Sequence, residues 1–429
     1  MTSAEVVLWG TRVGIVLFDD VTGIGTFEYD RNYLRSGIEL SPIVMPLSPR
    51  VYSFPALNRQ SFHGLPGLLS DSLPDKFGNA VIDAWLSAQG RSPESFDPVE
   101  RLCYTGTRGM GALEYKPARG PLDGEGDALH VEQLVNLANI ILNERESLHV
   151  KAGSNAIQDI IKVGTSAGGA RAKAVIAWNE STGEIRSGQI DAGSGYGYWL
   201  IKFDGVSGNR DKEDEDGPQY TRIEYAYHLM AVDAGVEMNE CRIYQENGRH
   251  HFMTKRFDRN TVTGEKIHMQ TLGSIAHFDF NLPGAYGYEQ AAEIMRRLRL
   301  SRQEINQFYR RMVFNVMARN QDDHVKNISF LMDRKGLWKL SPAYDVTYSY
   351  NPDGMWTGTH QMTVNGKRDG FDYSDLLSAG VNMGLKRSSS KQIIEEVSSS
   401  LSRWKDFANE GEVSEEHADA IYRTFCLFA

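Results

Sequence analysis

From Asn320 to Asn327 the chain reads Asn, Gln, Asp, Asp, His, Val, Lys, Asn, and Asp345 follows eighteen residues beyond Asn327. Phosphoryl transfer needs a carboxylate near the attacking hydroxyl, and an Asn and an Asp to hold the metal ions that neutralise the phosphates. These residues supply all three, with Asp322 as base and Asn327 and Asp345 as metal ligands. Asp322 and Asn327 are five residues apart, the Asp-to-Asn separation of a kinase catalytic loop, although the His-Arg-Asp order of ordinary protein kinases is missing. Two other readings stay open. Asp and Asn side chains commonly cap turns in plain polar loops, and Asp322, Asp323 and His324 offer the residue types of a hydrolytic metal site, though three adjacent residues rarely converge on one ion.

The elements around this loop must hold it in place. Ile328 to Leu331 and Leu337 to Leu340 read as a hairpin turning at Arg334, Lys335 and Gly336, which brings Asp345 back beside the loop. Upstream, Val163 to Lys173 is a run of small residues, with Ser166, Gly168 and Gly169 inside it, ahead of a strand over Ala174 to Trp178. Such a run lets backbone N–H groups approach phosphates, and Lys173 adds charge. It is not the Walker pattern, and a simple hairpin connection is the alternative. Tyr198 to Phe203 is an apolar and aromatic strand with one charge, Lys202, which either snorkels at an edge or has a buried anionic partner. The helix over Tyr220 to Ala234 brings Glu224 as a candidate partner. A strand over His251 to Thr254 leads to Lys255, Arg256, Phe257 and Asp258, placed as a hinge whose backbone reads an adenine edge and whose Asp serves a ribose hydroxyl.

Near the N-terminus, residues 5–30 alternate short apolar runs with glycines and predict a small antiparallel sheet. Asp71, Ser72, Leu73, Pro74 and Asp75 lead into a helix over Asp75 to Gln89, with Pro74 at a first helical position behind a Ser72 or Leu73 cap. A helix is expected over 131–143, and helical periodicity fills 289–320 and 390–426. Residues 117–127 are rich in Pro, Gly and charge and form the best linker. They mark off residues 1–116 as a separate module.

A chain of 429 residues has room for two or three domains, and 41% hydrophobic with 24% charged residues is globular composition, which argues against disorder. The net charge of −10 makes the surface a poor direct match for a nucleic-acid backbone. Cys103, Cys241 and Cys426 are odd in number and widely spaced, which suggests neither a disulfide framework nor a zinc site and fits a reducing cytoplasm. No basic n-region, long apolar h-region or window of ~18 apolar residues stands out, so neither a leader nor a membrane span is expected.

Together these stretches resemble the HipA family, the serine/threonine kinase toxins of bacterial toxin–antitoxin modules. The resemblance runs over nearly the whole chain: the N-terminal sheet, the Asp71 to Asp75 segment, the Ser166 to Lys173 loop, Arg256 to Arg259, and Asn320 to Asn327. It implies an α+β fold, with a small β-rich N-terminal subdomain (1–116) and a linker (117–127). These precede a bilobal protein-kinase-like core, of which 128–257 form the N-lobe and 258–429 a mainly helical C-lobe with an all-helical C-terminal part. It also implies an ATP- and Mg2+-dependent cytoplasmic enzyme. By position, Asp322 matches the catalytic base and Asn327 and Asp345 the magnesium ligands. Lys202 matches the phosphate-binding lysine and Lys173 a second nucleotide contact, while Gly168 and Gly169 lie in the nucleotide loop. Lys255, Phe257 and Asp258 match the hinge, Ser166 the autophosphorylated serine, and 206–218 the activation loop. The implied partner is a HipB-like helix-turn-helix antitoxin, with DNA reached only through it, and the implied substrate is a translation component such as an aminoacyl-tRNA synthetase. Lys255, where an acidic residue can occur, and the charge-dense stretch 209–216 depart from the family. A small-molecule kinase and a non-catalytic pseudokinase co-repressor are the alternatives.

Overall fold

The computed structural model describes residues 1–119, 128–143, 171–189, 191–206, 219–260 and 263–428. The chain forms two compact units, one of Met1–Asp216, Tyr244–Gln270 and Met332–Gly336, the other of Gly217–Ile243, Thr271–Leu331 and Leu337–Ala429.

The first unit opens with strands β1 (Thr2–Leu8), β2 (Thr11–Asp19), β3 (Ile24–Tyr29), β4 (Tyr52–Ser53) and β5 (Leu113–Lys116), in the antiparallel order β4-β3-β2-β1-β5. Alternation in β2 buries Val16 and Phe18 and leaves Ile15 and Leu17 partly in water, as a sheet with one covered face requires. Two single-turn helices, α1 (Arg59–Phe62) and α2 (Gly67–Ser70), lead to α3 (Lys76–Ala88), then α4 (Pro98–Thr105) and α5 (Val131–Asn143). The start of α3 differs from the sequence expectation. Asp75 is the cap, its Oδ1 accepting the Gly78 N–H at 2.6 Å, and Pro74 precedes it. A carboxylate at this position satisfies one of the helix's orphan N–H groups, which neither Leu73 nor a more distant Ser72 can do.

A second sheet comes next, built from β6 (Lys173–Trp178), β7 (Ile185–Ser187), β8 (Gly197–Lys202), β9 (Cys241–Glu246) and β10 (Arg249–Lys255), with β8 paired between β6 and β10. Alternation sorts its residues. Ala174 and Ile176 of β6, Trp199 and Ile201 of β8 and Met253 of β10 join one apolar cluster with Phe77 and Val81 of α3 and Leu134, Val135 and Ala138 of α5. Each Val, Leu, Ile, Phe or Met side chain among them, fully buried, contributes about 1.5–3 kcal/mol. Lys173, Lys202 and Phe252 are register partners on the opposite face.

Residues 1–116 are bonded to later residues of the first unit. Trp9 donates its indole N–H to the Lys266 carbonyl at 2.8 Å, the Gly111 N–H reaches Asp258 Oδ2 at 2.7 Å, Lys266 Nζ pairs with Glu114 at 2.8 Å, and Gln270 donates to the Leu40 carbonyl at 3.1 Å. These contacts tie the N-terminal sheet and its flanking loops to residues 258–270 within the first unit.

β11 (His268–Thr271) carries the chain into the second unit. That unit holds α6 (Tyr220–Asp233), α7 (Leu272–Ala276), α8 (Tyr288–Arg297), α9 (Arg302–Met317), the strands β12 (Ser329–Met332, all but its last residue) and β13 (Trp338–Leu340), and α10 (Tyr373–Asn382), α11 (Arg387–Leu401), α12 (Trp404–Glu410) and α13 (Glu415–Tyr422). α9 starts at a capping box, Ser301 with Glu304, and buries Phe308, Met312, Val313, Val316 and Met317. Gly273 in α7 lies so close to the 320–327 loop that a Cβ there would stand 3.3 Å from Val325 and 3.6 Å from Lys326. Among the described residues no helix is long and apolar enough to cross a membrane.

Candidate phosphotransfer site

α9 ends at Ala318, and Arg319 turns the chain through a left-handed conformation with φ 57°. Asn320 is tied back to the helix, its N–H to the Asn315 carbonyl and its Nδ2 to Asn315 Oδ1, both at 3.0 Å. The two aspartates beyond it part company. Asp323 is buried and accepts from three donors: the Tyr288 hydroxyl at 2.8 Å, His360 Nδ1 at 2.9 Å and the Gln361 N–H at 2.7 Å. Burial, and then the Asp323 charge, hold the Tyr288 hydroxyl well above its usual range, so it remains a donor. Asp322 keeps 17% of its side chain in solvent, and its Oδ1 accepts the Trp356 indole N–H at 2.8 Å. The hydrolytic reading of Asp322, Asp323 and His324 thus fails, because Asp323 is committed inward.

His324 caps the 3-10 turn Val325–Asn327 through its Nδ1, which accepts from the Lys326 N–H at 3.2 Å. Asn327 Nδ2 donates to the Asp322 carbonyl at 2.9 Å, which orients the amide and directs its Oδ1 away from that contact. The hairpin then returns the chain. Tyr344 donates its hydroxyl to the Lys326 carbonyl at 2.6 Å and lies 2.5 Å from Ser329 Oγ, so the residue before Asp345 is tied to the loop that carries Asn327. Asp345 itself has φ 55°, a left-handed conformation that Asp tolerates and that is held here by its surroundings. The oxygens of Asn327 and Asp345 are hard donors of the kind Mg2+ prefers. Among the described residues no three His, Cys, Asp or Glu side chains form a metal cage. A sparse protein set is also what Mg2+ uses where phosphate oxygens complete its shell.

The basic residues singled out in the sequence lie in the first unit. Lys173 and Lys202 are direct cross-strand partners, and both are buried. Like charges placed opposite each other in a sheet repel, so this pair calls for negative charge nearby. Asp75 provides part of it, its Oδ2 lying 3.0 Å from Lys173 Nζ with both side chains almost fully buried. Lys202 Nζ also lies 5.9 Å from the centre of the Phe252 ring. Lys255 is half-buried, its Nζ 5.5 Å from the Trp199 ring centre, and Phe257 is half-buried as well.

Asp258 departs from the expectation. It is fully buried, takes both Nε and Nη2 of Arg256 at 2.8 and 2.6 Å, and accepts from the Gly111 N–H. Burial alone raises its pKa, but Arg256, Arg259 and the Gly111 N–H outweigh it and hold the carboxyl below its usual range. Both oxygens are engaged by the protein, so Asp258 fixes the segment after β10 and does not present a carboxylate to a ribose. Sequence reading missed this role, missed Trp356 and His360, and named Asp323 only as part of a hydrolytic metal site. The adjacent Arg256 was the one available signal, since a buried Arg and Asp two residues apart readily pair. Ser166, Gly168 and Gly169 lie outside the described residues, as do 207–218 of the expected activation loop. Glu224 is buried in α6.

Among known proteins, part of the chain is 24% identical over 201 residues to a putative kinase, Y4mE, of Sinorhizobium fredii (strain NBRC 101917 / NGR234), a match over 43% of this chain and 47% of that protein. The chain thus spans about half the length of that curated relative. The fold is similar to the solved Shewanella oneidensis MR-1 toxin–antitoxin complex of HipA, HipB and operator DNA, with a TM-score of 0.70 and 17% identity over 98% of this chain and 94% of that one. A fainter likeness to the Helicobacter pylori proinflammatory kinase CtkA, covering 59% of this chain and 93% of that one, has 12% identity and a TM-score of 0.34, too low to imply a shared fold. The family model for the HipA N-terminal domain matches residues 4–116, and that for the HipA-like C-terminal domain matches residues 165–404. With the second of these models alone spanning more than half of its length, the chain belongs to the HipA family.

Proposed function

We propose that the chain is an ATP- and Mg2+-dependent serine/threonine protein kinase and the toxin of a HipBA-like module. It phosphorylates a translation component such as an aminoacyl-tRNA synthetase, and it phosphorylates itself on Ser166. The observation that carries this reading is the bond from Asn327 Nδ2 to the Asp322 backbone carbonyl, which ties a metal-type amide to the residue whose carboxylate is partly exposed on the same short loop. Asp322 accepts the proton of the attacking hydroxyl. Asn327 and Asp345 hold Mg2+, which when bound neutralises phosphate charge. Lys202 and Lys173 offset the charge of the phosphates, the backbone N–H groups around Gly168 and Gly169 cradle them, and the backbone at Lys255 and Phe257 reads the adenine.

The solved HipA complex contains HipB and operator DNA, which supports a HipB-like helix-turn-helix partner for this chain. Its net charge of −10 favours contact with DNA through that partner rather than directly.

The test is intact-mass and peptide mass spectrometry of the unmodified protein after incubation with Mg-ATP, wild type against Asp322→Asn. One added phosphate on Ser166 in the wild type, absent from Asp322→Asn, is the expected result. A wild type that binds ATP but gains no phosphate, and transfers none to a co-purified protein, overturns the self-phosphorylation. One that does not bind ATP leaves the co-repressor reading in its place.

A further inference from the structure

We propose that Trp356 is the positioning residue of the transfer base, holding Asp322 through its indole N–H. The proposal rests on the kinase reading of this site. Residues 349–361 lie beyond Asp345 in the chain and run back along the loop, joining it at successive residues. The Ser349 N–H donates to the Arg319 carbonyl at 3.1 Å, Gln361 Nε2 donates to the Gln321 carbonyl at 3.3 Å, and Trp356 Nε1 donates to Asp322 Oδ1 at 2.8 Å. His360 and Gln361 then take Asp323 from the other side. Trp356 is itself held, because Gln361 Nε2 donates to the Trp356 carbonyl and a compact turn precedes it, in which Gly354 N–H reaches the Asn351 carbonyl at 3.1 Å. Gly358 closes that turn so tightly that a Cβ on it would stand 2.5 Å from the Gly354 carbonyl oxygen.

A general base acts only when its carboxylate stands within hydrogen-bond reach of the proton it removes. Asp322, partly exposed at the end of a loop, has two side-chain torsions to fix, and the indole is a donor with a single direction. The Trp356 bond restrains one oxygen of the Asp322 carboxylate while leaving the charge in place. The plainer account is that a half-buried indole N–H has taken the nearest acceptor. The two accounts differ in what they predict for the rate.

The full-length protein is its own acceptor in the test. The rate of phosphate gain at saturating Mg-ATP, the half-saturating ATP concentration and the Tm are compared for wild type, Trp356→Phe and Trp356→His. Trp356→Phe keeps the ring and removes the N–H. The expected result is a rate lower by roughly 10- to 100-fold, part of the 10²–10⁴ that a placed base contributes, with half-saturation and Tm unchanged. Trp356→His, which restores an N–H, recovers part of the rate. A Trp356→Phe rate within about threefold of wild type, or a loss that appears only in half-saturation, overturns the proposal. Should Trp356→Phe fail to fold, Trp356→His decides: with native Tm, a rate between those of wild type and Asp322→Asn supports the proposal and a rate as low as Asp322→Asn overturns it. A wild type that neither binds ATP nor transfers phosphate to itself or to a co-purified protein overturns the kinase reading, and this inference with it.

Discussion

Asp322 and Asp323 are identical side chains in adjacent positions, and the fold gives them opposite tasks. The sequence supplied the spacing to Asn327 and to Asp345, because those separations are local. It could not say which aspartate faces water, because that is decided by Tyr288 and His360, which lie 35 and 37 residues away. Asp258 failed for the same reason, its fate being set by Gly111, 147 residues distant. The consequence is testable at Asp323. An Asn there has one acceptor oxygen and turns its NH2 towards at least one of the three donors. Asp323→Asn is therefore expected to cost about 2–4 kcal/mol of stability, the range for a buried donor left facing a donor or a broken buried pair. Urea denaturation monitored by tryptophan fluorescence measures it, and a midpoint equal to wild type would show that Asp323 is no anchor.

Elements were more legible than side-chain roles. The strands over 173–178, 197–202 and 249–255 and the helices over 131–143 and 302–317 follow from periodicity that one local segment contains. Register was the hidden step. Nothing in the sequence sets Lys173 opposite Lys202, yet alternation along β6 and β8 then puts both on the face away from the apolar cluster. The same burial that shapes these elements neutralises their histidines. Burial lowers His251 in β10 to about 4, against an opposing pull from Asp204, and lowers His228 in α6 to about 4. A free imidazole titrates near 6.5, so between pH 6.5 and 4 the unfolded chain takes up protons that the folded chain refuses. Stability must therefore fall as the pH drops through that window, by on the order of 2 kcal/mol per histidine at pH 5. Urea midpoints at pH 7, 6 and 5 should decline, and His251→Gln should flatten the decline. A midpoint that does not move between pH 7 and 5 rules this out.

For the whole molecule, the linker at 117–127 was read as a boundary, and within the first unit several contacts join residues on either side of it. Pro, Gly and charge announce a break in secondary structure, but they carry no information about whether the segments on either side pack together. Here they do: Trp9 reaches Lys266, Gly111 reaches Asp258, Asp75 pairs with Lys173, and Phe77 and Val81 lie in the cluster beneath the second sheet. A chain of residues 117–429 would thus lose a counter-ion for a buried lysine, a donor for a buried carboxylate and part of a shared core at once. Breaking one buried pair costs about 3–5 kcal/mol, and a whole domain has only about 5–15 kcal/mol in hand. The shortened chain is expected to lack a cooperative melt and a near-UV circular dichroism signal, and co-expression of residues 1–116 as a separate piece should restore both. A cooperative transition in residues 117–429 alone, within a few degrees of the full-length Tm, would show instead that the N-terminal sheet is an appendage, with Lys173 and Asp258 held by other means.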